Sequence, residues 1–222
     1  MKVKQFTFNH FQVNTFVLWD DLSGQCAIVD PAAEASYEDE RMNTFIEGNG
    51  LKPVRILLTH AHVDHIAGLR QACERYKLPV TLHADGVKLL RQAAAYGAVM
   101  GFDVEEMGDL QCCFITDNEI LTIGEASQPE PTKAGQIECR YVPGHCPGSM
   151  AFVLHAEEMV LTGDALFRGS IGRTDLPGGD YNMLMNSLHN RIMTLPDDYQ
   201  VLPGHGELST IGEEHLYNGF LI

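Results

Sequence analysis

The hydrophobic and polar positions of the first thirty residues predict the opening strands of a sheet. Residues 3–8 show a two-residue alternation, residues 13–19 form a second β-rich run, and residues 26–29 form a third. Turn residues at 20–24 separate the second run from the third, which ends at Asp30-Pro31. Short β-rich runs bounded by turn residues are typical of strands. We therefore expect three strands that form an antiparallel edge of a sheet.

Helical and strand patterns then alternate up to residue 107. Gly48-Asn49-Gly50 is a typical helix stop, and Gly97 closes a later helical stretch. Residues 96–107 have no clean period, so they form either a loop or a mobile lid, and we favour the loop. The elements predicted in this part are strands over 53–58 and 79–82, and helices over 35–47, about 66–76 and about 84–95.

Short strands dominate the second half of the chain. Residues 124–135 are polar with two prolines, which predicts a surface connection and not a domain linker. Along the chain, strands come first, helix–strand units follow, and strands and helices come last. This order favours two sheets covered outside by helices, in one α+β domain over residues 1–222. The predicted elements are strands near 114–116, 119–123, 137–142, 150–155, 158–162 and 200–202, and helices near 180–194 and 211–217.

Composition narrows the function classes. Thirty acidic residues against fifteen basic ones give a formal charge of −15, which opposes binding to nucleic acid and to anionic membranes. No apolar run is long enough for a membrane span, and the start shows no secretory signal. Six cysteines form no C-x-x-C motif, so reduced thiols in a cytoplasmic protein are expected.

The residues with the strongest chemical signal are His60, His62, Asp64 and His65, directly after the strand predicted over 53–58. In an extended segment, side chains at i and i+2 point the same way, so His60 and His62 can reach one ion together. His65 breaks that alternation, so the chain must turn near Asp64, which is also a candidate cap for the following helix. This geometry suggests two neighbouring ions, one on His60 and His62 and another on Asp64 and His65.

Three further candidate ligands stand where a predicted strand ends beside glycine: His145, Asp164 and His205. Glycine lets the backbone take strained turns and approach a site closely. Each of these turns is weak evidence alone. Together with the His-x-His-x-Asp-His stretch they predict two ions held by nitrogen and oxygen ligands.

The order of these seven residues resembles the metallo-β-lactamase superfamily, over essentially the whole chain. The resemblance implies a four-layer αβ/βα sandwich, with two mixed sheets, helices on the outer faces, and ligands on loops at one edge. It also implies one metal ion on His60, His62 and His145, a second on Asp64, His65 and His205, and Asp164 as the bridging carboxylate. Asp64 and Asp164 are therefore the expected catalytic residues.

Residues 162–175 and the Pro-Gly-His205-Gly206 turn are similar to the glyoxalase II group, in its short single-domain bacterial form. This likeness implies a thioesterase acting on acylglutathione or related small thioesters through a metal-bridging hydroxide. The alternative is a mononuclear iron persulfide dioxygenase of the same superfamily, which shares the Gly-Arg-Thr-Asp segment. The C-terminal helical domain that grips glutathione in longer members is not expected here. Arg168 and Arg173 are candidates for contacting an anionic substrate group.

The predicted ligand set contains imidazoles and carboxylates and no cysteine, which suits zinc, iron or manganese. We expect two divalent ions, with zinc first and iron or manganese as alternatives. The expected partner is a small-molecule thioester, with neither nucleic acid nor membrane, and the protein is expected to be a monomer or a small homo-oligomer. Cys146 adjoins a predicted ligand, but a small core residue is the better interpretation.

Overall fold

The computed structural model describes residues 1–124 and 135–222. Its first sheet contains strands β1 (Lys2–Phe8), β2 (Val13–Trp19), β3 (Gln25–Val29), β4 (Lys52–Leu57), β5 (Val80–His83) and β6 (Cys112–Ile115), side by side in chain order. β1, β2 and β3 pair antiparallel, whereas β3 to β6 pair parallel. The sheet is therefore mixed, and the predicted antiparallel edge is confirmed.

The second sheet is also mixed and contains the rest of the long strands. These strands are β7 (Ile120–Thr122), β8 (Gln136–Tyr141), β9 (Met150–Leu154), β10 (Met159–Gly163), β13 (Gln200–Pro203) and β14 (Ser209–Thr210). Between them in the chain, β11 (Leu166–Phe167) and β12 (Ser170–Ile171) form a small hairpin. The order across the sheet is β14-β13-β10-β9-β8-β7, and β10 and β13 are its parallel pair.

The helices connect the strands and cover the outside of both sheets. They are α1 (Ser36–Gly48), α2 (Leu69–Tyr76), α3 (Val87–Arg91), α4 (Ala93–Met100), α5 (Tyr181–Ser187) and α6 (Ile211–Tyr217), with 3-10 turns at Val63–Ile66 and Ala84–Gly86 and a π-helical turn at Leu188–Ile192. Within residues 1–124 and 135–222, no helix has the length and apolar character that a membrane crossing requires.

Three layers of buried apolar side chains hold the four layers of backbone together. Phe16 and Leu18 of the first sheet meet Phe152 and Leu161 of the second in the central core. On the outer face of the first sheet, α1 packs against β2 and β3, and α2 and α3 pack against β4 and β5. On the outer face of the second sheet, α5 and the π-helical turn pack against β9, β10 and β13. Full burial of each large apolar side chain contributes about 1.5–3 kcal/mol. The predicted four-layer sandwich is confirmed.

Two expectations about local structure are wrong. The helix predicted over 84–95 is divided into a 3-10 turn, α3 and α4, with a break at Gln92. Residues 96–100, expected to be a loop, form the second half of α4, which ends at Gly101 with φ of +85°. The reason is that α4 reads AAAYGAVM, which has no polar face and therefore shows no amphipathic period. The surface connection predicted at 124–135 lies almost wholly outside the described residues.

The metal-loop turn also differs from its prediction. Asp64 does not cap α2, because it lies inside the 3-10 turn Val63–Ile66, and the residue before α2 is Gly68. The tight 3-10 turn leaves Asp64 and His65 adjacent on its surface, and its N-cap, His62, still has extended backbone angles. The change from extended to 3-10 backbone is therefore what sends His62 and His65 in different directions.

Candidate metal centre

All seven predicted ligands converge at one edge of the sandwich. His60 and His62 follow β4, and Asp64 and His65 lie in the 3-10 turn after them. The other three residues, His145, Asp164 and His205, lie in the loops that follow β8, β10 and β13 of the second sheet. The loops that leave facing strands of the two sheets therefore build one site between them.

The first group of donors, called here the first trio, is His60, His62 and His145. One ring nitrogen from each, together with Cys146 Sγ, lies within 4.8 Å of the others. His62 Nδ1 is 2.9 Å from His145 Nε2. The Nδ1–H of His145 donates to the carbonyl of Arg173 at 2.8 Å, so its Nε2 carries the lone pair that faces the site.

The second trio is Asp64, His65 and His205, whose ligand atoms also lie within 4.8 Å of one another. The Nε2 atoms of His65 and His205 are 3.3 Å apart, and His205 Nε2 is 3.4 Å from Asp64 Oδ2. Two histidine nitrogens and a carboxylate oxygen thus face one point. This is the grouping that the resemblance implied.

Asp164 lies between the two trios. Its carboxylate is 3.2 Å from His65 Nε2 and 3.5 Å from His205 Nε2, both of the second trio. It is 3.7 Å from His145 Nε2 of the first trio. A carboxylate in that position can serve ions on both sides, which agrees with the bridging role that remains a prediction.

The donors fit a pair of divalent cations. His60 Nε2 and Asp164 Oδ1 are buried and have no hydrogen-bond partner among the described residues. A buried polar atom left in that condition costs about 1–3 kcal/mol, and a bound cation would satisfy both. Imidazole nitrogen and carboxylate oxygen are donors that suit zinc, iron and manganese.

The trios differ in their proton equilibria. Burial lowers the pKa of His60 well below its ordinary value, and burial together with the charge of His145 lowers that of His62 to about 4. Burial also acts to lower the pKa values of the two histidines of the second trio, but Asp164 and Asp64 outweigh it. They raise the pKa of His65 well above its ordinary value and that of His205 to about 9. For Asp164, burial is likewise outweighed, by His65 and His205, and its pKa lies well below the usual range.

Asp30 orients histidines of both trios and was not predicted as a site residue. It is buried and accepts a hydrogen bond from His65 Nδ1 at 3.0 Å. It also accepts from the hydroxyl of Thr59 at 2.6 Å, and that hydroxyl lies 3.1 Å from His60 Nδ1. Partners of this kind fix ring orientation and the basicity of a ligand. The sequence signal was Asp30-Pro31 at the end of β3, at the same edge as the ligands.

The turn between β1 and β2 holds the second trio from outside. Asn9 Nδ2 donates to the carbonyl of Asp64 at 2.8 Å. The carbonyl of Phe11 accepts from His205 Nδ1 at 2.9 Å. Asn14 donates its side-chain amide to the carbonyls of Pro203 and Gly206, on either side of His205. The first hairpin of the chain thus fixes ligands that follow it by more than fifty residues.

Two glycines permit the close approach of these loops. A Cβ on Gly204 would lie 2.3 Å from Asp164 Oδ1 and 2.7 Å from His65 Cε1. Gly163 has a φ of +50°, and a Cβ there would lie 2.5 Å from Thr59 Oγ1. A larger residue at position 204 would displace Asp164 and His65, and one at position 163 would displace Thr59, whose hydroxyl lies 3.1 Å from His60 Nδ1.

The remaining candidates surround the predicted ligands. Cys146 is buried, with its Sγ within 4.8 Å of the first-trio nitrogens and 3.3 Å from Ser149 Oγ. Burial raises the pKa of its thiol to about 12, which agrees with its interpretation as a small core residue. Arg168 pairs with Glu207. Arg173 lines a cavity beside the predicted ligands and makes two hydrogen bonds of 2.7 Å to Asp175. The substrate-binding role of both arginines remains a prediction.

A cavity of about 210 Å³ opens directly above the ligands. Its floor is formed by His62, Asp64, His145, Asp164 and His205. Its walls are largely apolar, and are lined by Phe11, Ala61, Val63, Leu89, Ala93, Tyr96, Met100, Leu176 and Pro177, with Arg173 at one side. A small substrate can therefore reach both trios at once.

Two facing mixed sheets with this donor set at one edge define a metal-dependent hydrolase with an αβ/βα sandwich fold. The sequence pattern of the metallo-beta-lactamase superfamily matches residues 9–205. The chain belongs to that superfamily.

Relatives of the chain are similar over their whole lengths. It is 35% identical over 221 residues to the probable metallo-hydrolase YqgX of Bacillus subtilis, covering 100% of this chain and 98% of the relative. It is 33% identical, with the same coverage, to the hydroxyacylglutathione hydrolase GloC of Haemophilus influenzae. The crystal structure of TTHA1623 in a di-iron-bound form superposes with a TM-score of 0.85 at 32% identity, covering 98% of this chain and 100% of that one.

Proposed function

We propose that the protein is a dinuclear metal-dependent thioester hydrolase of the glyoxalase II type, acting on acylglutathione or related small thioesters. The observation that carries this proposal is the position of Asp164, 3.2–3.7 Å from histidine nitrogens of both trios, on the floor of a cavity. The similarity to GloC, a hydroxyacylglutathione hydrolase, supports a thioester substrate.

Each group of residues has a definite task in such a reaction. Two divalent ions supply an acidified water and an electrophilic centre for a carbonyl oxygen when they are bound. Asp164 joins the two trios. Asp64 faces the cavity from the second trio, where its carboxylate can orient a water and accept its proton. Asn9 fixes the backbone of Asp64, so the direction of that carboxylate is set before substrate arrives.

The leaving group sets few demands on the chain. A thiol with a pKa of about 8.5 departs readily as thiolate near neutral pH. A dedicated proton donor at the leaving sulfur is therefore unnecessary, which is compatible with the apolar walls of the cavity. An alkoxide leaving group would need such a donor, so thioesters suit this site better than oxygen esters.

Zinc is the first choice of metal, and iron is the nearest competitor, since TTHA1623 was crystallised in a di-iron-bound form. The rival function, a mononuclear iron persulfide dioxygenase, needs one ion. The second trio is complete here, with Asp64, His65 and His205 converging as closely as the first trio does. That observation favours two ions and hydrolysis.

The test combines metal analysis with turnover. Protein purified without added metal is analysed for metal content and assayed on acyl-glutathione and neutral thioesters, before and after chelation and reloading. We expect two ions per chain and hydrolysis that is lost to chelator and restored by divalent metal. His62→Ala should lose the ion of the first trio and abolish hydrolysis, whereas His189→Ala, at an exposed histidine away from the centre, should change neither metal content nor turnover. One iron per chain with sulfur-dependent oxygen uptake would establish the rival, and full loading without thioester cleavage would refute the proposal.

A further inference from the structure

The cavity above the metal centre combines a polar floor with an apolar wall from a single helix. Ala93, Tyr96 and Met100 of α4 all line it. They are three and four residues apart, so they lie on one helical face. Tyr96 and Met100 are 40% and 41% exposed, so part of their apolar surface is open to a ligand in the cavity.

Close backbone packing keeps α4 beside the metal loop. A Cβ on Gly97 would lie 3.1 Å from the carbonyl oxygen of Phe102 and 3.3 Å from Val63 Cγ2. Val63 itself belongs to the 3-10 turn that carries Asp64 and His65. On the other side, Phe11 packs against Phe102 with 5.3 Å between ring centroids and also lines the cavity. The apolar wall is therefore a fixed part of the site.

The charges at the cavity do not suit an anionic tripeptide. Among the described residues that line it, Arg173 is the one Lys or Arg side chain, and both its Nε and Nη2 atoms are engaged by Asp175 at 2.7 Å. Arg168 is paired with Glu207. The whole chain carries a formal charge of −15. Recognition by charge would need cations that are already committed to neighbouring acids.

We propose, resting on the function above, that the cavity binds a short apolar group of the thioester substrate, with α4 as the selectivity wall. The group is either the acyl chain or the carbon chain of the thiol. A cavity volume of about 210 Å³ is comparable to the liquid volume of about seven water molecules, so a group of roughly that size fits against the wall. The preferred substrates are thioesters with such a group, and conjugates of glutathione with small polar acyl groups are poorer ones.

Two series of thioesters test this on the metal-loaded full chain. The first varies the acyl group from acetyl to octanoyl on N-acetylcysteamine, and the second varies the thiol from ethanethiol to octanethiol with a fixed acetyl group. Burial of each methylene should raise kcat/KM about fourfold until the cavity is full. A rise in the first series places the acyl chain against α4, and a rise in the second places the thiol there. Flat profiles in both series, or lactoylglutathione above every member, would overturn the proposal.

Matched lysine substitutions locate the effect on the helix. Met100→Lys introduces a charge on the cavity face and should flatten the chain-length dependence, with the longest substrates losing most. Val99→Lys is the control, because Val99 is 83% exposed on the same helix and does not line the cavity. Equal effects of the two substitutions would refute the role of this face.

A binding measurement separates the inference from the proposed function. S-hexyl-N-acetylcysteamine is a thioether that cannot be hydrolysed, and calorimetry reports its binding to wild type and to both lysine variants. We expect binding with a negative heat-capacity change, at least tenfold weaker in Met100→Lys and unchanged in Val99→Lys. If no thioester is hydrolysed, the proposed function fails, but binding of the thioether still shows whether the cavity takes an apolar group. If hydrolysis occurs but the thioether does not bind, the apolar site alone fails.

Discussion

The two halves of the metal centre are supported differently. The first trio contains histidines only, and His145 is held by a backbone carbonyl from its own half of the chain. The second trio contains a carboxylate, and its ties are a buried carboxylate, Asp30, and the turn between β1 and β2. The first half therefore contains imidazoles alone, and burial lowers the pKa of two of them, His60 and His62. The second half is a network of charged groups held by residues distant in sequence.

The metal affinities of the two sites should therefore respond differently to pH and to substitutions around them. Neutral imidazoles can accept an ion without losing a proton. In the second trio the histidines are held protonated by Asp164 and Asp64, so an ion must displace protons there. Loss of a residue that hydrogen-bonds to a ligand should also lower metal affinity more at the second site, where the orientation of the ligands depends on residues far away in sequence.

Asp164→Ala should have the largest effect, because it weakens both metal sites at once. Because this carboxylate lies against both trios, we expect metal content to fall from two ions to less than one per chain. Turnover should fall by more than about a hundredfold, a larger effect than loss of an outer partner gives. The chain should stay folded, because Asp164 lies on a loop after β10, and circular dichroism checks this. Two retained ions at normal turnover would contradict the bridging role.

Asp30→Asn should weaken the second metal site more than the first. The amide keeps the shape of the side chain but loses the charge that holds His65 Nδ1–H, while His60 depends on Asp30 only through Thr59. We expect affinity for the second ion to fall about 10–100-fold and affinity for the first to fall less. Metal titration with competition by a chelator measures both steps.

Asp197→Asn provides a matched control for this substitution. Asp197 accepts a hydrogen bond from His215 at 2.8 Å on the surface, where an Asp–His pair has no contact with the centre. Equal losses at both steps in Asp30→Asn, or any loss in Asp197→Asn, would argue against a separate support for the second trio.

Asn9→Gly tests the turn between β1 and β2 with a smaller expected effect. Glycine tolerates the φ of +52° at this position, so the loss is confined to three side-chain hydrogen bonds. The amide of Asn9 donates to the carbonyls of Asp64 and Ala32, and its Oδ1 accepts from the N–H of Phe11, whose carbonyl holds His205. We expect second-ion affinity to fall roughly tenfold, at the low end for an outer partner. Gln12→Gly is the control, since Gln12 lies in the same turn with φ of +57° and is exposed. Equal metal affinity of the two variants would show that the Asn9 side chain does not support the second site.

The smallest effect is on pH-dependent stability of the metal-free protein. The pKa of His205 is raised from 6.5 to about 9, so its stabilisation is complete below pH 6.5 and is lost as pH rises towards 9. The pKa of His62 is lowered to about 4, so its contribution is lost as pH falls from 6.5 towards 4. The free energy of unfolding should therefore be highest near pH 6.5.

Denaturant unfolding between pH 5 and 9.5, with and without divalent metal, measures this dependence. The stabilisation by metal should grow from pH 6.5 to 9, because fewer protons compete at His65 and His205. A metal effect that is constant over this range would contradict the protonated second trio.

The convergence of the seven candidate ligands could be expected from the sequence, because each follows a strand and carries a side chain that can bind metal. Their supports could not. Asp30 lies 35 residues from His65, and Asn9 lies 55 residues from Asp64, so no local spacing joins them. The contact from Phe11 uses a backbone carbonyl, which every residue possesses. The sequence also hid α4, since a helix without a polar face has no period to detect.

The contact between the first hairpin and the His205 loop has a consequence for how the chain folds. Asn14 and Pro203 are joined across 189 residues of sequence, and β2 bridges to His205 beside them. Closing so large a loop has a high entropic cost, so such contacts form late, after the sheets have condensed. During synthesis, His205 follows the last residue of the first trio, His145, by 60 residues. The second trio is therefore incomplete until the His205 loop has docked on the first hairpin, so occupation of that site reports that this long-range contact has formed.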